Sequence, residues 1–197
     1  MVVEKLFVKE GIKESEVEEF LKNMFERAGY SHTEISRTPL GTRIIVYASK
    51  PELVIGRSGR RINEITSAIK DRFGFENPLV DVKEIGNPFL DSSIVARRIA
   101  KALERGINYK KVANYYLQKI MESGAVGVQI IMAGKLAARS RTQKFKEGFV
   151  AHSGDYAEKL VDYSYTQAIL KLGIIGIKVR IMKEMPREVE KRTVEKS

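Results

Sequence analysis

The chain of 197 residues carries 35 Lys and Arg against 25 Asp and Glu, a formal charge of +10, with no cysteine and no tryptophan. That length suits one domain or two small ones, and a hydrophobic share of 43% excludes wholesale disorder. The lack of cysteine excludes a disulfide framework, a thiolate nucleophile and a zinc knuckle, and a cytoplasmic location is expected.

Residues 1–10 alternate apolar and charged side chains without a long apolar run. No stretch approaches the roughly 18 apolar residues of a spanning helix, so neither a secretory signal nor a membrane partner is expected. Ser15 and Glu18 have capping-box spacing, Val17, Phe20, Leu21, Met24 and Phe25 recur at helical spacing, and Gly29 suits a C-terminal cap. A helix is expected over 14–28. Residues 33–38 and 43–48 alternate with β-branched side chains around Pro39, Leu40, Gly41 and Thr42, a strand hairpin. Residues 50–55 suit one or two helical turns. Ile62, Ile65, Ile69 and Phe73 then form the stripe of an amphipathic helix ending near Gly74, and residues 79–85 form a strand. The order is αββααβ.

Gly86, Asn87 and Pro88 mark a break. The expected organisation is a first α+β domain over 1–86, a linker over 87–91, a second α/β domain over 92–183 and a mobile charged tail over 184–197. In the second domain, Val95, Ile99, Ala102 and Leu103 stripe one helix that stops at Gly106. Asn108 caps another, whose buried face is Val112, Ala113, Tyr116, Leu117, Ile120 and Met121. Val126, Val128, Ile130 and Met132 alternate as a strand, and so do Ile175, Ile177, Val179 and Ile181, with Lys178 and Arg180 on the other face. Between them, 135–150 and 156–164 read as two further strands and 165–171 as a short helix. The fold class is α+β, with a helical hairpin packed on a mainly antiparallel sheet.

Charge is concentrated along this chain. Residues 50–72, 92–122 and 134–146 together carry +13 while everything else sums to −3. The third block holds Lys135, Arg139, Arg141, Lys144 and Lys146 with no acid among them, whereas a solvating face interleaves Glu with Lys. A polyanionic partner is favoured.

The string Val54-Ile55-Gly56-Arg57-Ser58-Gly59-Arg60-Arg61-Ile62 carries the chemistry. Two glycines let backbone approach a phosphodiester closely, the next helix offers its N-terminal N–H groups, and Arg57, Arg60 and Arg61 add charge. A bare G-x-x-G also suits a plain turn between helices. Its place between the second and third helices of an αββααβ module is the pattern of a type II KH domain, whose loop clamps about four nucleotides. Aspartate at Gly56 or Gly59 is expected to set a carboxylate against phosphate and leave the fold intact.

With Arg72-Phe73-Gly74-Phe75, Ile120 to Ala125, Ala133-Gly134-Lys135-Leu136, His152-Ser153-Gly154-Asp155 and 173–179 added, the chain from about Phe7 to Met182 resembles the universal small-subunit ribosomal protein S three family, in its archaeal and eukaryotic branch. The resemblance implies a non-enzymatic constituent of the subunit head, monomeric within the ribosome, that binds small-subunit rRNA and lines the mRNA entry channel beside ribosomal proteins S ten and S fourteen. In bacterial relatives, basic residues on the second helix of the C-terminal domain are implicated in holding and unwinding mRNA. Two of them fall on Lys110 and Lys111, and the third on the uncharged Asn114. The acid-free block Lys135, Arg139, Arg141, Lys144 and Lys146 is assigned to rRNA on charge alone.

No cofactor, metal site or catalytic group is expected. His152, Ser153 and Asp155 are near neighbours on one loop, which rarely provides triad geometry, and His32 is the other histidine. Gly134-Lys135 lacks the spacing of a nucleotide-binding P-loop. A resemblance of residues 146–152 to an RNP strand is set aside because no partner strand shows the aromatics. The alternatives are a nuclease or DNA lyase using a lysine nucleophile and a free-standing KH regulator of mRNA.

Overall fold

No proline interrupts residues 2–24, and they form one helix, α1 (Val2–Met24), in a computed structural model that describes residues 2–38, 41–75, 77–136 and 139–185. The helix starts well before residue 14, so Ser15 is interior and caps nothing. Residues 2–13 hold three Lys, two Glu and no proline, and Gly11 alone, at about 1 kcal/mol, does not end a helix whose far end is packed. The early turns are tied to the sheet by Arg37, which pairs with Glu10 at 2.7 Å and Glu14 at 3.6 Å. The hydrogen bond to Glu10 raises the Arg37 guanidinium above its ordinary range.

Two units make up the chain, Met1–Gly86 and Asn87–Ser197. In the first, β1 (Tyr30–Thr38) pairs antiparallel with β2 (Gly41–Ala48), and β2 pairs parallel with β3 (Leu79–Glu84). The expected turn at Pro39 and Leu40 lies outside the described residues. Helix α2 (Pro51–Ile55) and α3 (Arg60–Phe73) separate β2 from β3, which gives the expected αββααβ order. Gly29 and Gly74 take left-handed conformations, φ 71° and 65°, where the helical segments stop. Val17 and Leu21 of α1, with Phe25 just after it, are buried in one cluster with Ile44 and Val46 of β2 and Ile65 and Ile69 of α3. Each such fully buried aliphatic contributes about 1.5–3 kcal/mol. Met24, expected on this stripe, is exposed.

In the second unit Asp91 caps α4 (Ser92–Glu104) by accepting from the Ile94 N–H at 2.9 Å. The backbone N–H and hydroxyl of Ser92 donate to the Asp162 carboxylate at 3.0 and 2.8 Å, so a charge from the sheet sits at the positive end of α4. The Asn108 side chain caps α5 (Tyr109–Glu122) as expected, accepting from the Lys110 N–H at 2.9 Å. The hairpin of α4 and α5 covers one face of a sheet of order β5-β4-β7-β6, formed by β4 (Gly127–Lys135), β5 (Ser140–Gly148), β6 (Val161–Leu170) and β7 (Gly173–Met182), every pairing antiparallel. Ile130, Met132, Ile177 and Val179 meet Val95, Ile99, Ala113 and Ile120 in the core.

The reading of 156–171 is corrected. Residues Asp155–Lys159 form a short helix, α6, and 161–170 are strand. Gln167, Ala168, Ile169 and Leu170 favour helix weakly, but β6 ladders against β7 along its whole length, from Val161 opposite Met182 to Leu170 opposite Gly173. Most of the expected tail, residues 186–197, lies outside the described residues. No described helix is long and apolar enough to cross a membrane.

Candidate nucleic-acid interface

The G-x-x-G loop is built from backbone that side chains rarely adopt. Gly56 has φ 73° and ψ −177°, a region open essentially to glycine alone, while Gly59 has φ 72° and ψ 6°, near the left-handed helical region. Ser58 between them also takes positive φ, 54°. A Cβ on Gly56 would stand 2.7 Å from the Arg61 Cβ, whereas one on Gly59 would meet Ile62 Cγ2 at 3.9 Å. The two glycines therefore differ: Gly56 needs both its conformation and its empty space, and Gly59 mainly its conformation. Helix α3 starts directly after Gly59 with no side chain bonded to its first N–H groups, which leaves that positive end for an anion. Arg57 and Arg60 are exposed at this edge. Arg61 is also exposed, but its guanidinium turns back to the Met24 carbonyl at 3.3 Å, at the C-terminal end of α1.

On α5, Lys110, Lys111 and Asn114 are exposed, opposite the buried Val112, Ala113 and Leu117. Lys111 lines a cavity of about 570 Å³ between α4 and α5, with Arg98, Lys101, Arg105, Tyr115 and Tyr116 among its walls and no acid; Lys110 and Asn114 do not line it. Tyr115 meets Tyr116 edge-on, ring centres 5.3 Å apart. Burial pushes the Tyr116 phenol up, against the opposing pull of Arg98 and Arg105. Tyr116 is thus half core, as its place on the buried stripe implies, and half wall of this cavity.

The third block is divided by register. Phe145 and Gln143 stand opposite Ile130 and Met132, on the helix side of the sheet, and Arg141 opposite Gly134 shares that side. Lys144 and Lys146 stand opposite Ile131 and Gln129, on the other face. Lys135, the last residue of β4, shares that face, and all these cations, with Arg139 ahead of β5, are exposed. Lys144 and Lys146 consequently lie on the opposite side of the second unit's sheet from the hairpin, whereas Arg141 shares the hairpin's side.

The face of Lys144 and Lys146, on which Gln129 is buried, also carries Lys178 and Arg180 of β7 and Tyr163 and Tyr165 of β6, which the sequence reading did not place in a site. The alternation of Tyr163 and Tyr165 was the available signal, hidden by assigning 165–171 to helix. His152 accepts from the Arg180 guanidinium at 3.0 Å, and Asp155 pairs with Lys159 at 3.1 Å, so these two members of the suspected triad face other partners. A lyase lysine needs a depressed pKa; that of Lys119 is raised, by its hydrogen bond to Glu122.

Comparison with known proteins follows the same division. The KH domain profile matches residues 16–89, and the profile of the ribosomal protein S3 C-terminal domain matches residues 99–181. The small ribosomal subunit protein uS3 of Methanococcus aeolicus is 46% identical over 182 residues, 92% of this chain and 88% of the relative. Its counterpart in Methanocaldococcus jannaschii is 45% identical over 183 residues, 92% and 88% of the two chains. That of one Methanococcus maripaludis strain is 44% identical over 192 residues, 95% and 91%. With both domain profiles in order and this identity along most of its length, the chain belongs to the small ribosomal subunit protein uS3 family.

Proposed function

We propose that this chain is a structural, non-enzymatic constituent of the small ribosomal subunit in the cytoplasm that binds rRNA, with the loop from Gly56 to Arg61 clamping an RNA backbone. The observation that carries the clamp is the loop itself: two positive-φ glycines, an α3 N-terminus without a side-chain cap, and exposed Arg57 and Arg60 at one edge. Phosphate contacts of this kind position a protein on RNA without reading sequence.

The finer assignments rest on the family resemblance together with exposure. Lys110, Lys111 and Asn114 contact incoming mRNA; the uncharged Asn114 leaves strand contact to the two lysines, acting as point charges. Lys135, Arg139, Arg141, Lys144 and Lys146 serve rRNA, and ribosomal proteins S ten and S fourteen are neighbours. Ultraviolet crosslinking of purified small subunits, with peptide mapping, tests the assignment. Nucleotides are expected on the peptides carrying 57–61 and 110–116; peptides from both stretches recovered free of RNA would overturn it.

A further inference from the structure

We infer that the face of the second unit's sheet turned away from the helical hairpin is a platform for single-stranded RNA, on which Tyr163 and Tyr165 stack unpaired bases while Lys144, Lys146, Lys178 and Arg180 follow the backbone. Pairing across four strands sets two rows on that face. One runs Lys146, Gln129, Arg180, Tyr163, and the next Lys144, Ile131, Lys178, Tyr165. At about 4.8 Å between strands, each row spans about 14 Å from an aromatic on one edge to a lysine on the other. Neither row contains an acid. On the first unit's sheet, by contrast, Arg43 pairs with Asp81 at 2.6 Å and Tyr47 donates to Glu34 at 3.0 Å, so charge there is matched.

The tyrosines are placed as stacking groups. Tyr163 is 51% and Tyr165 44% exposed. The Arg180 guanidinium lies over the Tyr163 ring, 5.6 Å from its centre, so it covers one face of the ring and a base would stack on the other. The Tyr165 ring lies over Gly176, where an added Cβ would stand 3.3 Å from Cε2, and its hydroxyl accepts from the Gln167 amide at 3.1 Å. Backbone thus supports one side of the ring, and the exposure falls on the rest. Two residues along a strand span about 7 Å. That is about twice the 3.4 Å rise per nucleotide of a stacked strand. Bases on the two rings are therefore pulled apart, which suits a single strand and excludes a duplex. A face serving solubility alone has no use for two exposed rings beside cations.

This inference rests on the RNA-binding reading above. The test uses the full chain, fluorescence anisotropy at fixed salt, and a labelled oligouridylate of about ten nucleotides, within the site size of such platforms. Tyr163→Ala and Tyr165→Ala are each expected to weaken single-strand binding about five- to a hundredfold, with the salt slope unchanged and duplex binding unaffected. Gly176→Val, which displaces the ring and keeps the aromatic, reproduces the Tyr165→Ala loss, and thermal melts show whether each variant is folded. Single-strand affinity unchanged in both tyrosine variants, an equal loss on duplex RNA, or crosslinks from both tyrosines to a protein neighbour in assembled subunits would each overturn the platform. Wild-type protein that binds neither single strand nor duplex sinks the underlying reading instead.

Discussion

Aspartate at Gly56 is expected to cost both stability and RNA affinity, and aspartate at Gly59 mainly affinity. The sequence alone led to one expectation for both; the backbone separates them. At φ 73° and ψ −177° Gly56 occupies a region that costs a side-chain-bearing residue about 1–3 kcal/mol. Its Cβ would also press on that of Arg61 at 2.7 Å, with overpacking of about 1–3 kcal/mol. Gly59, at φ 72° and ψ 6°, lies near the left-handed region that Asn and Asp tolerate, with open space at its Cβ, so about 1 kcal/mol is expected there. For a small domain 1 kcal/mol moves the melting temperature by about 4–8 °C. Thermal melts of the full chain should therefore drop much further for Gly56→Asp. Anisotropy with RNA should show Gly59→Asp weakened and Gly59→Asn, the same shape without charge, weakened less. A Gly56→Asp protein that melts like wild type contradicts the loop geometry, and a Gly59→Asp protein that binds like wild type contradicts the clamp.

The second large effect is on salt dependence. The cations placed at exposed edges, Arg57 and Arg60 at the loop, Lys110 and Lys111 on α5, Lys144 and Lys146 on β5, suffice for several phosphate contacts. Neutralising about 6 to 10 phosphates makes affinity fall by about 10³ to 10⁵ between 50 and 200 mM salt. Affinity of the isolated chain for rRNA fragments, titrated over that range, is expected to fall on this scale. Replacing any one contacting lysine by alanine should shallow the log–log slope by about one. A fall of less than about tenfold would mean that the charge blocks are solvating surface.

Much of this was legible because local chemistry and tertiary structure agree. Gly29 and Gly74 stop helical segments where their left-handed conformations require, Asn108 caps α5, and the alternation over 126–132 and 175–181 marks the two central strands of the second sheet. Failures came where a long-range partner decided the outcome. Ser15 has the signature of a helix start, yet no proline breaks the turns before it, and Arg37, distant in sequence, pairs with Glu10 there. Residues 165–170 are strand because β7 lies beside them, a fact their own composition cannot carry. The site shows the same split. The G-x-x-G string and its arginines are local and were read directly, whereas the turn of Arg61 toward Met24, and the meeting of Lys144, Lys178 and Tyr165 in one row, depend on pairings made across the fold.

The central claim, that the chain works as part of the small ribosomal subunit, is tested most directly by sedimenting native cell extract on a gradient that separates free protein from subunits and probing each fraction for this chain. The chain is expected almost entirely with the small subunit and with the ribosomes that contain it. Finding the bulk of it at the top of the gradient, free or on smaller RNA complexes, would contradict the account and favour a free-standing KH regulator.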